Sequence, residues 1–81
     1  MLKIAVCAIR KDDIIYSMPK PARHHNILYA QRGLAQAEQG FLDSEGNFKT
    51  REEALDIAKE ADQIIRRCGG DEHRLFSENL W

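Results

Sequence analysis

The sequence predicts an α+β fold: a small antiparallel sheet, made of an N-terminal hairpin and a short ribbon, packed with two helices. Three observations predict it. Residues 2–9 are short, β-branched and alternating. Residues 24–39 carry apolar side chains at helical spacing. Thr50-Arg51-Glu52-Glu53 has the form of a helix-opening capping box. Strands and helices do not alternate strictly, which disfavours a parallel sheet.

The elements follow in order. Leu2, Ile4, Val6 and Ala8 share one face, and Ala5, Cys7 and Ile9 make the other apolar as well. Arg10-Lys11-Asp12-Asp13 reads as a four-residue loop, and Ile14–Met18 as the returning strand. Pro19-Lys20-Pro21 ends it, because proline cannot donate to a ladder. Ile27, Ala30, Leu34 and Ala37 then form a helical stripe from about His24 to Gln39, with Gly40 as the stop. Residues 40–48 read as a ribbon with Asp-Ser-Glu-Gly at its turn. In the capping box the Thr50 hydroxyl accepts from the Glu53 N–H, and the Glu53 side chain reaches back to the Thr50 N–H. The helix that follows presents Ala54, Ile57, Ala58, Ala61, Ile64, Ile65 and Cys68 on one face. Arg66 and Arg67 fall in its last turn and Gly69-Gly70 at its end. The tail, with Leu75, Phe76, Leu80 and Trp81, is apolar enough to require a surface to pack on, its own sheet or another subunit.

The bulk numbers bound the function. With 81 residues the chain is expected to form a single domain, 1–81. Folding at this size buries roughly 60% of the unfolded surface. The core is therefore thin, and a homo-oligomer is the expected way to bury more. A net charge of −1, from 12 basic and 13 acidic residues, disfavours a nucleic-acid polymer or a membrane surface as partner. Cys7 and Cys68 each lie in an apolar segment and read as reduced core residues. No leader pattern or membrane-length apolar run is expected to carry the chain out of the cytoplasm.

Several constellations offer chemistry. Arg23, His24 and His25 stand where a helix begins, and a helix start already carries about half a positive charge. A bound phosphate would compensate them; a solvated loop, with one histidine tucked against the sheet, is the alternative. His24, His25 and His73 with Cys7 and Cys68 lack metal-ligand spacing, so no metal is expected. No nucleophile motif surrounds Ser17, Ser44 or Ser77, and the Asp12-Asp13 and Glu52-Glu53 pairs fit a turn and a cap. The ribbon is more suggestive. Phe41 and Phe48 flank a turn that leads to a helix start bearing Arg51, an arrangement able to stack a base and hold a phosphate. Core anchoring is the competing reading of both rings. Gln63, Arg66 and Arg67 add polar reach at the far end of that helix.

Arg23-His24-His25-Asn26-Ile27, Gly40-Phe41, Gly46-Asn47-Phe48, Arg51-Glu52-Glu53-Ala54, Ile57-Ala58 and the closing Leu75-Phe76-Ser77-Glu78-Asn79-Leu80-Trp81 look like a pattern found in small phage proteins. Among these the chain resembles the phage anti-Thoeris sponge family, Thoeris anti-defence protein one. The resemblance implies an N-terminal antiparallel sheet, C-terminal helices, assembly through subunit contacts and no enzymatic activity. It implies binding of cyclic ADP-ribose isomers made by host TIR-domain proteins, and in some members small cyclic oligonucleotides. Contact roles pass to Arg23, His24, Phe41 and Arg51, with Arg66 and Arg67 late in the second helix. The expected partner is thus a small cyclic nucleotide in the host cytoplasm, with no cofactor. A protein-binding inhibitor that docks on a host enzyme through its tail or ribbon is the alternative. A hydrolase using His24 or His25 as general base ranks last.

Overall fold

A computed structural model describes residues 2–30, 37–67 and 73–81. The element order is β1 (Ile4–Lys11), β2 (Ile14–Met18), α1 (His24–Ala30), β3 (Glu38–Asp43), β4 (Phe48–Thr50) and α2 (Arg51–Glu60), then a 3-10 turn at Ser77–Asn79. The strands form one antiparallel sheet in the order β2-β1-β3-β4. This is the α+β architecture expected, with hairpin and ribbon joined through the β1–β3 ladder.

Cys7 of β1 pairs with Phe41 of β3, so the two share a face with Ile9. Against them pack Ile27 from α1, Ala54, Leu55 and Ala58 from α2, and Leu75 and Leu80 from the tail. The small alanines of α2 let its backbone approach the sheet. Burial of the Cys7 thiol pushes its pKa up to about 11, so it stays neutral and unreactive, as a core side chain should. Cys68 lies outside the described residues.

The local chemistry is visible at each turn. Asp12 and Asp13 both take positive φ, 53° and 63°, as the tight two-residue hairpin loop demands. The loop is therefore two residues long and not four: Arg10 and Lys11 stay in β1, paired with Ile15 and Ile14. At the ribbon turn the buried Asp43 carboxylate accepts from the Glu45 and Asn47 backbone N–H groups at 2.9 and 3.0 Å. Gly46 supplies the left-handed residue, φ 84°. The capping box is formed as expected, with Glu53 N to Thr50 Oγ1 at 3.2 Å and Thr50 N to Glu53 Oε1 at 2.9 Å.

Both helices are shorter than the periodicity suggests. α1 is described over His24–Ala30, residues 31–36, Leu34 among them, lie outside the described set, and by Glu38 the chain is already strand. Gly40 is thus not a helix stop but the middle of β3. α2 ends at Glu60, because Asp62 turns left-handed at φ 56° and Gln63 is drawn off to the sheet. The Gln63 amide accepts from Ile4 N at 2.7 Å and donates to Ile4 O at 2.9 Å, taking the place of a strand partner beside the bulge between Ile4 and Val6. Ile64, Ile65, Arg66 and Arg67 consequently leave the helix, and the two arginines do not serve its dipole. Gly69-Gly70 lie outside the described residues.

The apolar tail packs on its own chain. Leu75 N donates to Arg51 O at 3.0 Å, Ile65 N to Asn79 O at 2.7 Å, and the Trp81 indole to Ala22 O at 3.1 Å. Among the described residues no helix is long and apolar enough to cross a membrane.

Candidate functional site

The six residues singled out from sequence separate into three places. Arg23 and Arg66 both donate to the Trp81 backbone oxygen. The cation at the start of α1 therefore has an internal acceptor. Asn26 adds the local cap: its Oδ1 accepts from Arg23 N at 2.8 Å, as an N3 side chain does in a capping box. Arg67 follows Arg66 in the irregular segment after α2.

His24 and Phe41 are the second group, and both are buried. Their rings meet edge to face, 5.0 Å apart and at 79°. The His24 Nε2–H donates to Gly40 O at 2.7 Å, since a carbonyl can only accept. Phe41 has no face open to a base in this chain; it anchors the core. The exposed member of the histidine pair is His25.

Burial lowers the His24 pKa from its ordinary 6.5, and the nearby Arg51 charge pushes the same way. A histidine whose folded pKa lies below its unfolded value stabilises the fold above the unfolded pKa and loses that contribution as pH falls below about 6.5. Thermal stability is expected to drop as pH is lowered from about 6.5 toward the depressed folded pKa of His24. His24→Gln should flatten that limb of a melting-temperature profile; an unchanged limb would remove His24 as its cause.

Arg51 is the third place, and it opens on a cleft. The cleft measures about 290 Å³ and is lined by Ala37, Glu38, Gln39, Thr50, Arg51, Glu52 and Arg74. The capping box positions it, since Thr50 ends β4 and Arg51 begins α2. Arg51 Nη2 donates to Gln39 Oε1 at 2.6 Å, while its Nε is buried with no hydrogen-bond partner among the described residues. The Arg51 and Arg74 guanidinium carbons lie 5.0 and 5.9 Å from the centre of the Phe76 ring. Burial and the neighbouring Arg74 charge both lower the Arg51 pKa, so the two cations meet at an energetic cost. Glu38 is engaged by Arg10, which leaves Glu52 as the other carboxylate in the lining. An anion held between Arg51 and Arg74 would relieve their repulsion.

Arg74, Phe76 and Gln39 escape sequence reasoning. One signal does exist: Arg74 and Phe76 alternate with the buried Leu75 and Ser77, so the segment runs extended with one side turned outward. Phe48, the other ribbon aromatic, lies under Arg10, whose guanidinium carbon is 4.4 Å from the ring centre. Among the described residues no three His, Cys, Asp or Glu side chains gather as a metal site would need.

Fold and site together define a small α+β protein with an arginine-bearing cleft at a helix start. The chain belongs to the phage T4 y16D protein family, which matches residues 3–81. No curated protein and no solved structure matches it.

Proposed function

We propose that this phage-family protein is a non-enzymatic sponge. It binds and sequesters a cyclic nucleotide immune signal, a cyclic ADP-ribose isomer or a small cyclic oligonucleotide, and so blocks host anti-phage defence. The observation that carries the reading is the arginine pair, Arg51 and Arg74, which line the cleft together and both lie over the Phe76 ring. Two guanidinium groups suit phosphate oxygens bidentately, and their planes can stack a base. The volume of about 290 Å³ stands at the lower end of small-ligand pockets. It has room for a phosphate and its sugar, with the rest of the ligand lying outside. The docking alternative loses one of its surfaces, because the tail's Leu75 and Leu80 are packed within the chain.

Calorimetry with cyclic ADP-ribose isomers and cyclic dinucleotides tests this reading. Binding should be stoichiometric, and the ligand should be recovered unchanged after the complex is heat-denatured. Arg51→Ala and Arg74→Ala should each weaken it by roughly tenfold or more, the worth of one hydrogen bond to a charged group. Absence of heat with every ligand sinks the reading, and a chemically altered ligand would make the protein an enzyme instead.

A further inference from the structure

The β2 edge of the sheet is free of the devices that keep edge strands apart. Ile14-Ile15-Tyr16-Ser17-Met18 contains no charge and no proline, and Ile14 and Ile15 are 54% and 43% exposed. Its partner on one side is β1; among the described residues no strand lies on the other. The two-residue hairpin loop sets which backbone groups remain. Lys11 and Ile14 flank the loop as a hydrogen-bonded pair, so Tyr16 and Met18 also direct their N–H and C=O groups toward β1. Ile15 and Ser17 direct theirs outward.

We propose that β2 pairs antiparallel with β2 of a second copy of this chain, giving a two-fold dimer with one continuous eight-stranded sheet. The register follows from the outward groups. Only with Tyr16 opposite its symmetry mate does Ile15 of each copy face Ser17 of the other, so that all four outward N–H groups find carbonyls. The same register sets Ile14 against Met18. A shift by two residues either way loses pairs or brings Pro19, which has no N–H, opposite Ile15. Charge agrees with this register. The loop end of each β2, Lys11-Asp12-Asp13, carries a net negative charge, and the other end carries Lys20. Two-fold antiparallel pairing brings each loop beside the partner's Lys20, twice per dimer. The inference rests on this strand alone and stands apart from the cyclic nucleotide reading.

Sedimentation and native mass spectrometry of the full chain test it. The expected species is a dimer of the 9.3 kDa chain. Amide exchange at Ile15 and Ser17 should slow as protein concentration rises. Ser17→Pro removes two intermolecular bonds per dimer at a position whose N–H is not used within the chain, and should raise the dimer dissociation constant at least tenfold. Lys20→Glu should raise it several-fold in low salt, with the difference closing in high salt. Should Ser17→Pro fail to fold, the exchange and Lys20→Glu measurements still decide. A chain that stays monomeric to millimolar concentration overturns the proposal, whether or not some other protein covers the edge. So does a dimer whose exchange at Ile15 and Ser17 is independent of concentration.

Discussion

Phe41→Ala is expected to cost about 3–5 kcal/mol of stability, the usual loss when a large aromatic is removed from a core. An 81-residue domain has a total stability of about 4–12 kcal/mol at typical per-residue values, so one substitution removes a large share. The ring is fully buried between β1 and the helices, and it also carries the edge-to-face contact with His24. Urea denaturation checks the magnitude. Phe48→Ala is the control, because that ring is only half buried and should cost less. The same pair bears on function. If Phe41 is purely a core anchor, the folded fraction of Phe41→Ala keeps its ligand affinity. A variant with near-normal stability and lost binding would return the ring to the ligand.

That two-sided expectation shows where sequence reasoning reaches and where it stops. Elements written in adjacent residues are legible. The Thr50–Glu53 capping box forms as its spacing requires, and the Asp43–Gly46 turn uses the residues such turns need. Arg51's place at the start of α2 is legible for the same reason, since it follows from the ribbon and the cap. Helix ends are not legible when they depend on distant partners. Apolar spacing continues past Glu60 through Ile64 and Ile65, but the chain leaves α2 because Gln63 completes the bonding of Ile4, fifty-nine positions away. Arg74 reaches the cleft through the same kind of long-range closure, as Leu75 N donates to Arg51 O.

The basic triplet near residue 24 teaches a related point. A cation at a helix start looks like a request for an external anion, and helix electrostatics justify the inference. The fold supplies an internal answer: Arg23 finds the Trp81 carbonyl, and His24 turns inward to Gly40. The like charges that the fold brings together lie instead at Arg51 and Arg74. Local electrostatics identify that a compensation is needed; only the path of the tail decides where it comes from.

Gly40→Ala is expected to destabilise the fold as well, and for a different reason. A Cβ built at Gly40 would lie 2.3 Å from Lys49 O and 2.6 Å from Phe48 Cζ. The Phe48 ring is the end of a side chain and can swing away at modest cost. The Lys49 carbonyl belongs to β4 and cannot, because Phe41 pairs with Lys49 and Gly40 with Thr50. Accommodating one methyl group therefore means moving the strand, and overpacking of this kind costs about 1–3 kcal/mol or more. Two further groups move with it. Gly40 O is the acceptor for His24, and Thr50 caps the helix that begins with Arg51. The variant should lose stability and also loosen the cleft, with faster amide exchange at β4 and the first turn of α2. Adding Phe48→Ala separates the two clashes. If the carbonyl contact dominates, the double variant is no more stable than Gly40→Ala alone; recovery of stability would show that the ring was the obstacle and that β4 need not move.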